Sequence, residues 1–156
     1  MRLLEKILIR EGYSNIAMTT DSRRALPCSP TEQPDLVLLD LMMPFVSGYE
    51  VMASLIKTIP AESFVPIIVL TADATVHAKQ NALAGGATDF VSKPFDNVEV
   101  ALRIRNVLRI RFLHRQLEHE KQILDECVRE RTEFLQRTVL ELQKVQQQLM
   151  QPEAPT

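Results

Sequence analysis

The chain has 156 residues, of which 46% are hydrophobic and only 5% aromatic, and its formal net charge is −2. This composition predicts one domain with a mostly aliphatic core, and the small charge gives no global electrostatic basis for binding nucleic acid or an anionic membrane. No apolar run approaches the ~20 residues that a membrane span needs, and the charged start does not fit a signal peptide. Cys28 and Cys127 have no metal-type or redox spacing, so we expect free thiols in a cytoplasmic protein.

The first part of the chain predicts a helix, a weak strand and a short second helix. Residues 1–11 place four apolar side chains on one helical stripe, and Gly12 is suited to end that helix. Residues 15–19 are a weak strand candidate. Asp21 is a candidate N-cap for a short helix over residues 22–26.

The stretch from Asp35 to Pro44, Asp-Leu-Val-Leu-Leu-Asp-Leu-Met-Met-Pro, is the most informative in the chain. Its four consecutive apolar residues, 36–39, predict a strand that is buried on both faces. The strand ends on Asp40. Because open α/β sheets place their sites at the carboxyl ends of parallel strands, Asp40 is a candidate site residue.

A second buried strand and a further short strand have the same layout. Residues 66–71 end on Thr71, and residues 87–91 are followed by Ser-Lys-Pro-Phe, which contains Lys93. Helical patterns over 49–58 and 74–84 separate the three strands. This alternation predicts an α/β fold with a doubly wound parallel sheet.

Asp40, Thr71 and Lys93 are therefore expected to converge at one rim of the sheet. A carboxylate can attack a phosphorus centre, an ammonium group can neutralise phosphoryl oxygens, and a hydroxyl group can donate to one of them. Lys93 precedes Pro94, which holds its backbone extended and permits a cis peptide bond. The pattern predicts a site for a phosphoryl group.

The C-terminal third predicts one long helix. No Gly or Pro interrupts residues 97–150, a stretch that would extend ~80 Å at 1.5 Å per residue. Its first part, 97–113, has a wide apolar face that we expect to pack on the sheet and that includes Val98, Leu102, Val107 and Leu108.

Beyond residue 113 the apolar pattern narrows to a repeat of three and four residues, which we call the seam. Seven of its ten positions are apolar: Leu117, Lys121, Leu124, Val128, Arg131, Leu135, Thr138, Leu142, Val145 and Leu149. Such a seam predicts a coiled coil over 114–150 that forms a homodimer, with a disordered tail over 151–156. The alternative is a solvated single helix.

The three blocks resemble the receiver domain of two-component response regulators, which has a flavodoxin-like fold. The matching stretches are residues 36–44 with Gly48, residues 69–72 and residues 89–95, and the resemblance covers residues 1–113. By this resemblance Asp40 is the phosphoacceptor, Thr71 and Lys93 contact the phosphoryl group, and Phe90 switches inward together with Thr71. The family also binds Mg²⁺, for which Asp40 and the backbone carbonyl of Met42 match ligands. A sensor histidine kinase or a phosphotransfer protein is the implied partner.

The sequence departs from this family at its start. The family begins with a central strand that ends in two adjacent acids, and these acids hold the Mg²⁺. Here the first acids, Glu5 and Glu11, lie in the opening helix, so the acid pair is missing and Mg²⁺ binding by one carboxylate is expected to be poor. Strand 36–39 also loses a neighbour. Either the chain is a shortened receiver, or strand 15–19 pairs with 36–39 directly, or another copy fills the gap.

The leading functional hypothesis is a non-enzymatic phosphorelay receiver coupled to a dimerising helical connector, without an output domain. Residues 127–135 are similar to connectors that precede cyclic-dinucleotide phosphodiesterase domains of the HD-GYP type and other outputs. The absent acid pair favours an alternative, a dimerisation or scaffold module that works without phosphorylation. A phosphatase of the haloacid dehalogenase class also uses a strand-end Asp, but it requires a second Asp where this chain has Met42.

Overall fold

The computed structural model of the protein describes residues 2–22, 34–60 and 63–150. Its elements are α1 (Arg2–Arg10), β1 (Val37–Asp40), α2 (Gly48–Thr58), β2 (Ile67–Thr71), α3 (Val76–Ala84), β3 (Asp89–Ser92) and α4 (Asn97–Leu149). Contacts divide the chain into two compact units, Met1–His114 and Arg115–Thr156. Within the described ranges, no helix is long and apolar enough to cross a bilayer.

The three strands form a parallel sheet in the order β1-β2-β3. Every residue of β2 is buried, because this strand has a hydrogen-bonded neighbour on each side and helices above and below it. Asp40 is level with Leu70 on β2, and Thr71 is level with Ser92 on β3. The three predicted strands are thus confirmed, with ends that differ by one or two residues.

Helices cover both faces of the sheet, as a doubly wound fold requires. Successive residues of β2 alternate between the faces, as they do in any strand. The cluster on one face joins α2 and α3 to the sheet and contains Leu39, Leu41, Val51, Met52, Leu55, Ile67, Val69, Ala82 and Ala87. The cluster on the other face contains Ile68, Leu70, Val91, Val100, Ile104 and Val107, with Leu4 and Leu8 of α1 packed against it.

The prediction of a strand over residues 15–19 is wrong, because this segment has no regular secondary structure. A strand needs a neighbour for its backbone hydrogen bonds, and within the described residues the sheet consists of β1, β2 and β3 alone. Direct pairing of residues 15–19 with 36–39 is wrong for the same reason. Most of the helix predicted over 22–26, and the tail over 151–156, lie outside the described residues.

The face that α4 turns towards the sheet differs from the prediction in part. Val98 and Leu102 are 60% and 43% exposed, whereas Val107 is buried and Leu108 packs against the core as expected. The buried stripe runs through Val100, Ile104, Val107 and Arg111, which recur at helical spacing. The apolar face of α4 is wider than the stripe that the sheet can cover, so its margin stays in solvent.

Arg111 is the charged member of this buried stripe and is only 5% exposed. Its Nη1 donates to the backbone carbonyl of Phe64 at 2.6 Å, and its Nε lies 3.5 Å from Oδ1 of Asp35. Phe64 and Asp35 precede β2 and β1 respectively. The guanidinium group therefore ties α4 to the amino ends of two neighbouring strands.

Replacing Arg111 with Met should lower the free energy of unfolding by about 2 kcal/mol, because the carbonyl of Phe64 loses its charged donor in a buried place. Urea denaturation measures the change. Arg109→Met, at an exposed position of the same helix, is the matched control and should leave the stability nearly unchanged. Equal stability of the two variants would contradict a structural role for the Arg111 contacts.

Candidate functional site

Asp40, Thr71 and Lys93 lie at the carboxyl ends of β1, β2 and β3, or directly after them. The backbone N–H of Lys93 donates to the carbonyl of Thr71 at 2.7 Å, which continues the pairing of β2 with β3 past the last strand residue. On the other side, the N–H of Leu41 donates to the carbonyl of Leu70 at 3.1 Å. The parallel pairing thus brings the three predicted residues to one edge of the sheet.

Asp40 and Lys93 form a direct ion pair at this edge. The ammonium group of Lys93 donates to Oδ2 of Asp40, and the backbone N–H of Met42 donates to Oδ1 at 3.0 Å. The side chain of Asp40 is 23% exposed and that of Lys93 is 35% exposed. The peptide bond between Lys93 and Pro94 is cis. Both oxygens of the carboxylate are therefore held in place while the group remains accessible to solvent.

Thr71 is buried, and its hydroxyl group is turned towards the loop that follows β2. Its Oγ1 accepts a hydrogen bond from the N–H of Asp73 at 3.0 Å and donates to the carbonyl of Asp73 at 3.3 Å. The carboxylate of Asp73 in turn accepts from the N–H of Thr75 at 2.9 Å, and this hydrogen bond lowers the pKa of Asp73. Sequence reasoning missed Asp73, although Thr, Asp and Ser after a strand are the residues that form such local turns.

Gly48 allows the loop after Asp40 to close tightly. A Cβ atom at this position would lie 2.5 Å from the carbonyl oxygen of Asp40 and 2.6 Å from the Cα of Leu41. The N–H of Gly48 donates to the carbonyl of Leu41 at 3.2 Å, so α2 starts directly against the end of β1. A side chain here would push α2 and the loop apart.

Ser22 fixes the same loop from the other side and was not identified from the sequence as a site residue. It is buried, its hydroxyl group donates to the carbonyl of Pro44 at 2.9 Å, and it accepts from the N–H of Val46 at 3.2 Å. Nothing in its local sequence distinguishes it from a helix-start serine. Only the fold reveals this contact, since Ser22 and Pro44 are 22 residues apart.

Phe90 is half-buried and packs against the core cluster that joins α2 and α3 to the sheet. The ammonium group of Lys79 on α3 lies 4.8 Å from the centroid of its ring, within the range of a cation–π interaction. Lys79 was also missed by sequence reasoning, because such a pair depends on how α3 packs beside β3. The ring is thus held between a core cluster and a surface charge.

The neighbouring Asp89 anchors β3 to α4. Nη1 of Arg103 donates to both carboxylate oxygens of Asp89, at 3.0 and 2.8 Å, and Arg103 also pairs with Glu99 one turn away. The hydrogen bond to Asp89 is the main reason that the pKa of Arg103 is raised. This pair contributes to the position of the strand that delivers Lys93.

The described residues do not fit a Mg²⁺ site. Mg²⁺ requires near-octahedral oxygen coordination, usually with carboxylates and waters. Within residues 2–22, 34–60 and 63–150, no three His, Cys, Asp or Glu side chains are grouped so that they could hold a metal ion. Asp40 supplies one carboxylate, whose two oxygens already accept from Met42 and Lys93.

Known proteins with similar sequences include transcriptional regulators. The family model of the response regulator receiver domain matches residues 1–105. A probable transcriptional regulator, ycf27, of Porphyridium aerugineum is 45% identical over 108 residues, which cover 69% of this chain and 43% of that protein. The chain thus spans less than half the length of such relatives.

Solved structures with a similar fold are receiver domains. A response regulator from Chloroflexus aurantiacus superposes with a TM-score of 0.62 at 29% identity. The superposition covers 69% of this chain and 87% of the Chloroflexus chain. The receiver domain of a Pseudomonas aeruginosa sensor histidine kinase, which has a magnesium ion coordinated in its active-site cleft, gives a TM-score of 0.59 at 27% identity, covering 69% and 86% of the two chains.

The expected α/β fold, a parallel sheet between two layers of helices followed by a long C-terminal helix, is confirmed by these structures and by the model. The match of the family model extends over two thirds of the chain and includes all three strands. The chain therefore belongs to the response regulator receiver domain family of two-component systems.

Proposed function

We propose that Asp40 accepts a phosphoryl group from a sensor histidine kinase or a phosphotransfer protein, and that the helix beyond the receiver part forms a homodimer. In this proposal residues 1–113 act as the receiver and residues 114–150 as the connector. The module signals and is not itself an enzyme. The observation that supports it most directly is the ion pair of Asp40 and Lys93 at a partly exposed rim.

The rim supplies a nucleophile, a cation and a hydroxyl group for the transfer. A carboxylate oxygen of Asp40 attacks the phosphorus of a phosphohistidine, an O–P bond forms as the N–P bond breaks, and the imidazole leaves with the electron pair. The ammonium group of Lys93, which now pairs with the carboxylate, would then pair with the phosphoryl oxygens. The hydroxyl group of Thr71 would exchange its bond to the carbonyl of Asp73 for one to a phosphoryl oxygen.

Phosphorylation would act on the surface through charge. The phosphoryl group adds about −1.5 to −2 charge to the rim at neutral pH. A Thr71 side chain drawn towards this charge would leave space into which Phe90 can turn, and the ring would then leave the ammonium group of Lys79. The surface formed by α3 and β3 is therefore the part of the receiver expected to respond.

Incubation with acetyl phosphate should phosphorylate the wild-type chain, as detected by intact mass and by a shift on phosphate-affinity gels. Asp40→Asn removes the nucleophile and should abolish the modification. Glu133→Gln, at an exposed position of α4, is the matched control and should be modified as the wild type is. Modification of the Asp40→Asn variant at the wild-type level would contradict the assignment of Asp40.

A second candidate is a dimerisation or scaffold module that works without phosphorylation. The specific observation in its favour is that the described rim provides one carboxylate and no metal-binding group of three. The same experiment selects between the two. A wild-type chain that stays unmodified by acetyl phosphate, and unaffected by beryllofluoride across a range of Mg²⁺ concentrations, would favour the scaffold.

The proposed homodimer is supported by the apolar residues of the seam, all of which are exposed. Apolar surface that leaves water contributes about 25 cal/mol per Å², so a row of such side chains favours pairing with a second helix. These residues recur every three to four positions, which is the spacing that interlocks two helices. A second copy of the chain offers a matching row.

Leu135 lies in the middle of the seam, so Leu135→Lys should shift the chain from dimer to monomer. We expect the dissociation constant to rise at least ~10-fold, the size of effect that a central interface residue has. Sedimentation equilibrium measures the change. Ile123→Lys places the same charge at an exposed residue outside the seam and should leave the dimer intact. An equal effect of both substitutions would contradict the seam.

A further inference from the structure

The residues beside the seam carry information on how two helices would pair. Heptad positions follow from the seam: position a holds Lys121, Val128, Leu135, Leu142 and Leu149, and position d holds Leu117, Leu124, Arg131, Thr138 and Val145. The flanking position g then holds Glu120, Cys127, Phe134, Glu141 and Gln148, and position e holds Glu118, Asp125, Thr132, Val139 and Gln146. Flanking residues usually are polar, so apolar ones among them call for an explanation.

Phe134 at position g and Val139 at position e are large apolar residues in these flanks, and they are 66% and 52% exposed. They are separated by five residues. In a parallel, in-register pair of helices, each g residue lies beside the e residue that is five positions further along the other helix. Parallel pairing therefore places Phe134 of each copy against Val139 of the other, twice by symmetry.

In an antiparallel pair, position g faces position g and position e faces position e. Phe134 at g and Val139 at e therefore do not contact each other. When the full seam overlaps, such a pair is centred near residue 133, and Phe134 then faces its own counterpart. Val139 in that arrangement faces Asp125, which would place a carboxylate against an apolar side chain. The flanks favour the parallel arrangement.

A shallow groove on the same helix lies where the ring of Phe134 would enter. Its lining residues are Thr132, Leu135, Gln136, Val139 and Leu140. Three of them, Thr132, Leu135 and Val139, occupy positions e, a and e, which surround a g side chain arriving from a parallel partner. The groove includes Val139, the residue that the five-residue spacing places beside Phe134 of the partner copy, so the groove is consistent with that pairing.

Charges in the first heptads do not by themselves select this register. Glu120 at g and Asp125 at e are also five residues apart, so a parallel pair brings these acids together. Lys121 at position a lies between them, and its ammonium group offsets their repulsion. Arg131 at position d would face its own counterpart, and its long side chain can extend into solvent.

We propose that residues 115–150 form a parallel, in-register dimer in which Phe134 of each copy fills the groove of the other. This inference rests on the homodimer proposed above and adds its orientation, its register and its anchor residue. The second copy is the occupant of the groove.

Cysteine cross-linking in the full chain tests the register. In a background with Cys28→Ser and Cys127→Ser, Val128→Cys faces its own counterpart only in a parallel, in-register pair and should form a disulfide-linked dimer under mild oxidation. Ile123→Cys, on the outer side of the helix, should not. An antiparallel pair would instead link a mixture of Val128→Cys and Thr138→Cys chains and would overturn the proposal.

Sedimentation of the same variants distinguishes a failure of the parallel register from a failure of the homodimer itself. A chain that sediments as a dimer but gives no Val128→Cys link overturns the parallel register and leaves the proposed homodimer standing. A chain that stays monomeric at all concentrations overturns the homodimer itself, and the register with it.

The anchor role of Phe134 has its own test. Phe134→Ala should raise the dissociation constant of the dimer about 10-fold, because a large aromatic side chain leaves a fitted groove. Ile123→Ala removes a similar exposed apolar side chain outside the interface and should leave the constant unchanged. A Phe134→Ala variant that dimerises as tightly as the wild type would overturn the proposal that the Phe134 ring fills the groove of the other copy.

Discussion

The parallel pairing of β1, β2 and β3 is the constraint on which the candidate site depends. Asp40 and Lys93 are 53 residues apart in the sequence, and they meet because their strands end level with each other on either side of β2. A slip of one residue in either pairing would turn the side chains to the opposite face of the sheet. The complete burial of β2 opposes such a slip, since every side chain of this strand already packs against a core.

Each polar group at the rim has a protein partner in the structure, so a phosphoryl group would enter by exchange. Lys93 would exchange a carboxylate for phosphoryl oxygens, and Thr71 would exchange the carbonyl of Asp73. Partly exposed ion pairs contribute little net free energy, because water competes for both charges. The exchange of partners at Lys93 therefore costs little free energy. The movement of Thr71 costs more, because this side chain is buried.

The sequence alone predicted those features of the fold that follow from a local pattern of residues. Apolar runs predicted the three strands, and polar residues at the end of each run or shortly after it predicted that Asp40, Thr71 and Lys93 lie at one edge of the sheet. The strand over 15–19 was wrong because a strand requires a neighbour, which a local pattern does not reveal. Ser22 was missed as a site residue for the same reason, since only the folded chain brings it to the loop after β1.

The polar residues of the seam set the strength of the proposed dimer at a level that a receiver could influence. Lys121, Arg131 and Thr138 would reduce the apolar contact that a seam of Leu and Val would make, while Phe134, as the proposed anchor, would specify one register. Coupling between two sites in a protein is typically about 1–3 kcal/mol. A dimer with a fully apolar seam of this length would be too stable for such a coupling to shift. In the proposed dimer, an interrupted seam with one aromatic anchor would fix the orientation of the two helices and would leave the pairing equilibrium adjustable.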